Sequence, residues 1–451
     1  MKYIVLLLLL VASCAQLPQK HSDKYSILQG VTNTKEVEFS VLADTENLRF
    51  ELRDATGEII QPDETKIVTR SFSKWMVHKI VFVRDAQKDY NLYVYEGDKI
   101  VDQRLIGRGQ KEQTRLRLAV ASCMSDHFDK DFKIWDTLAG KNPEYLLMIG
   151  DNVYADITEH STIQAVDPEI LWKRYVDTRL ALPVFFQKKL IPVHATWDDH
   201  DYGINDGNSK YGYKKEAKEI FDAFFAQDMS DDDYYKGHGV GGMLSLGDFN
   251  LYFLDGRTFR SESRDGTHLG LDQTAWLISK LREESTPSFI IKGDQFFGGY
   301  HKFESFEGSH PNDFQQFVNE LKKINTPFIF LSGDRHMSEI MQFPRGMFGK
   351  PSFEITSSPI HSKVYPDRLD ENPWRVVSEN AHQNFTIIDN LAQNDHWFLE
   401  IENFGVNGEP YFRREVAVFI KDLQNNLNEV RKRRVGKRRY KKVRVKRFKR
   451  R

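Results

Sequence analysis

The sequence predicts an α/β protein with a large core of sheets flanked by helices, preceded by a small all-β sandwich. Between residues 35 and 108, short runs alternate polar and apolar side chains and are separated by turn-forming pairs, which is typical of antiparallel strands. From residue 115 onward, short apolar runs alternate with helix-like segments, which favours a layered α/β domain. With 40% hydrophobic and 13% aromatic residues among 451, the chain can bury a sizeable core, which excludes an intrinsically disordered protein.

The N-terminus resembles an export signal. Residues 1–13 combine a charged start with an apolar run that is too short to span a bilayer, which takes about 20 residues. The ending Val-Ala-Ser-Cys at 11–14 resembles the lipobox of bacterial lipoproteins, in which the cysteine is lipidated and becomes the mature N-terminus. We therefore expect lipidation of Cys14, a flexible tether over 14–30, and an exported lipoprotein anchored to the membrane on the periplasmic or outer surface. A chance cysteine beside an ordinary signal is the alternative.

The β-sandwich is predicted over residues 31–110 and the α/β domain over 115–422. The sandwich contains no convincing catalytic cluster, so we interpret it as a structural or positioning domain. Its predicted strands lie at 37–41, 48–52, 75–83 and 92–95. In the α/β domain, strands are predicted at 116–121, 145–149, 190–196, 250–254, 288–291 and 327–331. Helices are predicted at 167–189, 213–227, 271–284 and 311–324. Later strand-like runs at 353–356, 397–402 and 411–420 are expected to complete a second sheet.

The charge of the chain is divided unevenly. Of 64 Lys and Arg residues, fifteen lie in residues 431–451, which contain no acidic residue; the first 430 residues therefore hold 49 basic and 65 acidic residues, a formal net charge of −16. We predict a disordered basic tail over 431–451. Its charge suits a polyanion through counterion release, and its two aromatic residues suit stacking on bases. Anionic lipid at a membrane surface is favoured over nucleic acid as its partner.

Three strand-like runs each break into acidic residues, at 150–154 (GDNVY), 197–201 (WDDHD) and 332–336 (SGDRH). Parallel strands place their carboxyl ends at one edge of a sheet, so the three breaks predict a shared site. Carboxylates crowded into a dry site raise one another's pKa, and a bound cation is the usual way to keep them ionised.

The candidate ligands are of two chemical kinds. One kind is thiolate, phenolate and imidazole, which suit a transition metal such as iron. Carboxylates alone suit a harder divalent ion. The chain has two cysteines, and if Cys14 is acylated Cys123 has no disulfide partner, which marks that thiol for a special role. The candidates in chain order are Cys123, Asp151, Tyr154, Asp199, Asp334 and His336.

Five motifs in order resemble the alkaline phosphatase D family, a branch of the calcineurin-like phosphoesterases: ASC at 121–123, GDNVY at 150–154, WDDHD at 197–201, DGR at 255–257 and SGDRH at 332–336. The resemblance covers about residues 115–420, and the preceding β-domain also fits. It implies a layered metallophosphoesterase core and hydrolysis of phosphomonoesters or phosphodiesters. It also implies a site with iron, as Fe³⁺, and calcium, with other divalent metals as the alternative. The family's second motif commonly reads Gly-Asp-Tyr-Ile-Tyr, so Asn152 and Val153 depart from it while both ligands are kept.

The resemblance also implies roles for individual residues. Cys123, Asp151 and Tyr154 would hold iron, with His336 near it. Asp151, Asp199 and Asp334 would serve the harder ion. Arg257 and Asn205 would contact the phosphate of the substrate.

From the residues themselves, His200 is a candidate general acid for the leaving oxygen, or else a structural or substrate-contacting histidine. We expect either Asp198 or Asp201 to support a ligand instead of binding metal. Two other functions stay open. One is a nuclease- or phospholipase-type phosphodiesterase of the same fold, and the other is a non-catalytic, polyanion-binding surface lipoprotein.

Overall fold

The computed structural model describes residues 25–108, 115–157, 162–163, 165–228, 234–246, 248–284, 286–301, 304–367, 369–393 and 396–419. The predicted signal, the lipidation site Cys14 and the basic tail over 431–451 lie outside these residues. No helix in the described part of the chain is both long enough and apolar enough to cross a membrane.

The N-terminal domain consists of two four-stranded antiparallel sheets. Its strands are β1 (Ser26–Thr32), β2 (Glu36–Ala43), β3 (Leu48–Asp54), β4 (Ile59–Ile60), β5 (Glu64–Val68), β6 (Met76–Val83), β7 (Tyr90–Glu96) and β8 (Lys99–Leu105). One sheet has the order β1-β2-β6-β5 and the other β4-β3-β7-β8. Inward-facing side chains of both sheets, such as Phe39, Ile80 and Leu92, form one buried cluster. The predicted all-β domain is therefore confirmed.

The predicted tether extends too far along the chain. Residues 26–30 belong to β1, whose side chains are all buried. The strand is covered on both sides, because Ile27 packs into the sandwich core while Leu28 packs into a cluster of the second domain. This double burial is what fixes it as a strand instead of a flexible segment.

The second domain contains fourteen strands and eight α-helices in the described ranges. The strands are β9 (Arg115–Ala121), β10 (Tyr145–Ile149), β11 (Val193–Thr196), β12 (Tyr234–Lys236), β13 (Gly242–Ser245), β14 (Asn250–Phe253), β15 (Ser288–Ile291), β16 (Phe328–Ser332), β17 (Ser338–Phe343), β18 (Ser352–Thr356), β19 (Arg375–Glu379), β20 (Phe385–Gln393), β21 (His396–Phe404) and β22 (Pro410–Phe419). The α-helices are α1 (Lys133–Gly140), α2 (Pro168–Ala181), α3 (Asp199–Tyr202), α4 (Lys214–Phe224), α5 (Leu271–Glu283), α6 (Phe306–Ser309), α7 (Pro311–Leu321) and α8 (Arg345–Phe348).

These strands form two sheets that pack face to face. The six-stranded sheet has the order β11-β10-β9-β20-β21-β22, and the eight-stranded sheet β12-β13-β14-β15-β16-β18-β17-β19. Buried apolar residues of both sheets, such as Val120 and Leu331, share one cluster. Helices α2 and α4 pack against the outer face of the first sheet, and α5 and α7 against that of the second. The predicted layered α/β core is therefore confirmed. The late runs do not complete one second sheet as predicted, because β18 joins the eight-stranded sheet whereas β21 and β22 join the six-stranded sheet through β20.

Helix boundaries follow local sequence signals. Helix α2 begins with Pro168 after Asp167, whose side chain accepts a hydrogen bond from the Ile170 amide at 2.9 Å. It ends at Ala181 instead of 189, because Pro183 cannot continue an α-helix and starts a short 3-10 helix, Pro183–Phe186. The sequence did not predict helix α1.

The buried side chain of Arg179 on α2 joins the two domains. Its guanidinium donates to Ser26 Oγ at 3.1 Å, Ser40 Oγ at 3.2 Å and the Phe224 carbonyl at 2.8 Å. Burial lowers the pKa of Arg179 to about 9. The N-terminal sandwich is thus held firmly against the helices that support the site described next.

Candidate metal centre

Four of the predicted ligands follow the carboxyl ends of three strands in two neighbouring sheets, and Asp199 follows a fourth strand, β11. Cys123 follows β9, Asp151 follows β10, and Asp334 and His336 follow β16. Each of these four residues has a positive φ, between 50° and 64°. This conformation is uncommon for residues other than glycine, so the surrounding structure must enforce it. Residues strained in this way cluster at functional sites.

Glycines allow these strand ends to approach one another closely. Gly150 has φ 101°, and a Cβ there would lie 2.8 Å from Asp198 Cβ and 2.9 Å from Gly293 Cα. A Cβ on Gly293 would lie 2.5 Å from the same Asp198 Cβ. The Gly-Asp pairs of the sequence therefore bring the two sheets together as well as turning the chain.

The first group of ligands contains the soft donors. Cys123 Sγ lies 3.5 Å from Asp151 Oδ2, and Tyr154 Oη lies 3.0 Å from His336 Nε2. One ligand atom each from Cys123, Asp151 and His336 lies within 4.8 Å of the others. Ser358 Oγ donates to Cys123 Sγ at 3.1 Å, which orients the sulfur. All four predicted iron ligands are thus brought together.

The second group contains carboxylates. Asp151, Asp199 and His200 form one cluster of atoms within 4.8 Å, and Asp198, Asp199 and Asp334 form another. Asp151 belongs to both the first group and this one, so it is placed to bridge two cations. Asp334 Oδ2 is buried and has no hydrogen-bond partner among the described residues. An orphaned buried carboxylate oxygen costs free energy unless a cation contacts it.

The electrostatics also favour cations. Burial, followed by repulsion from neighbouring acids, raises the pKa of Asp334 well above its ordinary value. Burial and nearby acids also raise the pKa of Asp151, against the attraction of His200, and they raise the pKa of the Cys123 thiol. Burial opposes ionisation of Asp199, but Arg257 and His200 outweigh it and lower the pKa of that carboxyl group. A bound metal ion reverses the first three shifts, so the donor set fits metal ions.

Asp198 and Asp201 both support the neighbouring groups. Asp201 accepts from the Asp198 amide at 2.6 Å and from Asn152 Nδ2 at 2.7 Å, which ties the GDNVY and WDDHD segments together. Asp198 Oδ1 lies 2.5 Å from Arg257 Nε. The supporting role predicted for one of the two carboxylates is therefore seen in both, although Asp198 also lies within reach of Asp199 and Asp334.

Arg257 is fully buried beneath the acids. Its guanidinium contacts Asp198, and Nη2 lies 3.8 Å from Asp199 Oδ1. It does not belong to the wall of the cavity described below. The predicted contact with phosphate stays a prediction, and this placement supports a different role, which is to hold the two carboxylates in position.

His200 is held in a fixed orientation. Its Nδ1 lies 2.6 Å from Asp156 Oδ1, and its ring stacks on Tyr154 with the centroids 4.2 Å apart. Burial disfavours the charged ring, but Asp199, Asp151 and Asp156 outweigh it and raise the pKa of His200 well above its ordinary value. Because Asp156 occupies Nδ1, Nε2 is the nitrogen that can act on a bound molecule.

A cavity of about 810 Å³ opens above the metal centre. Its wall includes the predicted site residues Tyr154, Asp199, His200, Asn205, Asp334 and His336. Asn205 is exposed at this wall, and its backbone amide donates to Asp156 Oδ2 at 3.0 Å. The arrangement can therefore hold an anionic substrate directly above two candidate cation sites.

Sequence reasoning missed several residues of this site: Asp156, Glu304, Ser358, Lys363 and Tyr365. Asp156 positions His200, and the Lys363 carbonyl contacts His336 Nδ1. Glu304 and Tyr365 line the cavity from loops that carry no recognisable motif. Of these residues, only Asp156 could have been found from the sequence. It lies two residues after the predicted ligand Tyr154, and alternate residues of an extended segment face the same side.

Comparisons with known proteins agree with this geometry. Residues 118–406 match the sequence profile of the family described as PhoD-like phosphatase. The solved structure described as "Structure of PhoD" is 16% identical over 87% of this chain and 88% of that chain, with a TM-score of 0.66, which shows the same fold. No curated protein sequence matches the chain significantly.

Two Vps29 structures align over a smaller share of the chain. A single mutant from Entamoeba histolytica is 8% identical over 67% of this chain and 99% of its own, with a TM-score of 0.25. The Chaetomium thermophilum protein is 10% identical over 68% of this chain and 100% of its own, with a TM-score of 0.26. Neither likeness is strong enough to carry an argument. The family profile, in contrast, spans more than half of the chain and every ligand of the centre, and the chain therefore belongs to the PhoD-like phosphatases, a family of metallophosphoesterases.

Proposed function

We propose that the protein hydrolyses phosphate esters outside the cytoplasm, at a multinuclear centre built from the two ligand groups. The observation that carries the proposal is the convergence of Cys123, Asp151, Asp199, Asp334 and His336 beneath one open cavity. A phosphate-ester substrate is what membership of the family implies.

The donor chemistry supports two kinds of metal ion. Cys123, Tyr154 and His336, with Asp151, would hold iron, because ferric iron accepts phenolate oxygen, thiolate and imidazole. Asp151, Asp199 and Asp334 offer only oxygen, which suits calcium or another hard divalent ion. Metal ions at such a site supply an activated water and stabilise charge on the attacking and leaving oxygens of phosphoryl transfer.

The protein's own side chains position the substrate and move the proton. His200, oriented by Asp156, is placed in the cavity wall to protonate the leaving oxygen through Nε2. Asn205 is placed at the same wall to contact a phosphate oxygen. Arg257 keeps Asp198 and Asp199 ionised and in position beneath the cavity.

Replacing Asp151, the carboxylate that both ligand groups share, tests the proposal. We expect Asp151→Asn to lose bound metal and nearly all hydrolysis of nitrophenyl phosphate and bis-nitrophenyl phosphate. Asp98→Asn is the matched control, since Asp98 is exposed in the β7–β8 turn, and it should keep both. Full activity in Asp151→Asn, or in fully chelated protein, would contradict the proposal. Bound metal without turnover of any ester would favour a non-catalytic binding protein.

The size of the cavity favours a phosphodiester as a second candidate substrate. At about 810 Å³ it is much larger than a phosphate group, so it leaves room for substituents on two oxygens. This supports the nuclease- or phospholipase-type alternative. A panel of monoesters, nucleic acids and phospholipids, assayed with and without residues 431–451, separates these substrates.

We further propose that lipidated Cys14 anchors the protein to the membrane and that the basic tail contacts anionic lipid or, less favoured, nucleic acid. The support is the lipobox-like sequence and the fifteen basic residues of 431–451. Cys14→Ala should move the protein from the membrane fraction to the soluble fraction. Equal binding of full-length and tail-truncated protein to anionic vesicles and to DNA over a salt series would exclude the role of the tail.

A further inference from the structure

We propose that Arg335 binds the phosphate group of the substrate, and that Glu304 and Asp370 are counter-ions that the phosphate displaces from its guanidinium. This inference rests on the proposed hydrolysis of phosphate esters. It assigns substrate binding to a residue that lies between two candidate metal ligands in the sequence.

The placement of Arg335 fits an anion-binding residue. It follows Asp334 and precedes His336 after strand β16, and it lines the cavity together with both. Its side chain is only 7% exposed, so its charge is largely shielded from water. Its Nε is buried and has no hydrogen-bond partner among the described residues, which leaves a donor available to a ligand.

The two counter-ions are in a different environment from Arg335. Glu304 Oε2 contacts Nη1 of Arg335, and Asp370 Oδ2 lies 3.3 Å from Nη2. The side chains of Glu304 and Asp370 are 38% and 50% exposed. A carboxylate at the surface returns to water at little cost, whereas the arginine stays in the cavity wall. A phosphate group, with more negative charge and three oxygens, can therefore replace the carboxylates on the guanidinium fork.

Other cations near the centre are less suited to this role. Arg257 lies outside the cavity wall and is bound to Asp198. Lys363 does line the cavity, but its ammonium group lies over the ring of Tyr365, 5.3 Å from the ring centroid. Of these three cations, Arg335 therefore combines access to the cavity with an unused donor.

Two substitutions are expected to act in opposite directions on phosphate binding. Arg335→Gln should raise the dissociation constant of inorganic phosphate by roughly ten- to a hundredfold, the usual effect of losing a charged hydrogen bond. It should raise KM for a phosphate ester more than it lowers kcat. Glu304→Gln should instead lower the dissociation constant for phosphate several-fold, because it removes the competing charge. In the double variant, the benefit of Glu304→Gln should disappear.

A purely structural ion pair predicts a different outcome. Both single variants would then lower the midpoint of thermal unfolding and leave the affinity for phosphate unchanged. Arg264→Gln, which removes an exposed arginine away from the cavity, controls for the change in net charge. Arg335→Lys keeps the charge without the fork and should recover only part of the affinity.

Titration calorimetry of the metal-loaded protein with inorganic phosphate measures this directly, without turnover. Weaker binding in Arg335→Gln and tighter binding in Glu304→Gln support the proposal. Unchanged binding in Arg335→Gln overturns it even if the protein hydrolyses esters, and unchanged or weaker binding in Glu304→Gln overturns the role of the counter-ions. Absence of hydrolysis with the predicted binding pattern would contradict the proposed function alone.

Discussion

Replacing Arg257 with methionine perturbs the buried ion pair beneath the metal centre. The side chains of Arg257 and Asp198 are both 0% exposed, with Nε 2.5 Å from Oδ1. Burial raises the pKa of Asp198 to about 6, even though Arg257 acts to lower it. Without Arg257 the pKa rises further, so in the metal-free variant the carboxyl group keeps its proton at neutral pH.

The expected loss in free energy of unfolding therefore depends on pH. Near pH 5.5 Asp198 is mostly protonated in both proteins. The loss is then at least about 1 kcal/mol for the hydrogen bond from Nε, and the lost attraction between Arg257 and Asp199 adds to it. Above about pH 6, the pKa of Asp198 in the wild type, the folded variant still binds a proton that the folded wild type has released. The loss in free energy of unfolding therefore grows by about 1.4 kcal/mol per pH unit. Near pH 7.5 the loss should reach at least about 3 kcal/mol, within the ~3–5 kcal/mol typical of a broken buried pair.

Urea unfolding of chelated protein, followed by tryptophan fluorescence at several pH values between about 5.5 and 7.5, measures this difference. Arg179→Met is the matched control, because the partners of this buried arginine are hydroxyl and carbonyl oxygens that do not titrate. Its loss should be the same throughout the range. A loss in Arg257→Met that does not grow with pH, or that grows equally in the control, would refute the assignment of Asp198 as the titrating group.

Three further substitutions test individual site residues. In iron-loaded protein, Tyr154→Phe should lower the iron content and abolish the visible absorption of a ferric phenolate; a persisting band would exclude Tyr154 as a ligand. His200→Gln should slow hydrolysis of an alkyl phosphate more than of nitrophenyl phosphate, because only the poorer leaving group needs a proton, and equal slowing would argue against the acid role. Gly150→Ala should cost at least about 2–3 kcal/mol in urea unfolding, through its positive φ and the clash with Asp198, whereas Gly346→Ala, whose Cβ meets open space, should not.

The sequence predicted the structure correctly where the pattern of neighbouring residues alone determines it. The uninterrupted apolar residues of β10 predict a strand buried on both faces, and that strand lies between β9 and β11. Asp151 and Asp334 were predictable as site residues because each follows such a strand directly. The boundary of the predicted tether was wrong because burial of β1 depends on the second domain, which no local pattern reports.

The rest of the site depends on contacts that are distant in sequence. Glu304 and Asp370 meet Arg335 only because three loops converge on one cavity. The placement of the Arg257 guanidinium could not be predicted either. Its motif indicates that Arg257 lies near the metal centre, but not whether the guanidinium faces the cavity or lies buried against Asp198. Gly293 of the second sheet also lies close to Gly150 of the first sheet. This contact depends on how the two sheets pack, which the local sequence does not show.

Crowded acids in the metal centre predict that metal binding is coupled to proton release. Burial raises the pKa of Asp151, Asp334 and the Cys123 thiol in the metal-free protein, so these groups keep their protons to a higher pH than the same groups do in water. Metal ligands must be deprotonated, so binding displaces those protons and the affinity for metal must rise with pH. Titrations of chelated protein with calcium, in buffers of different ionisation enthalpy, count the protons released. We expect at least one proton per ion and a smaller number in Asp334→Asn; no proton release in the wild type would mean that these carboxyl groups do not bind the metal.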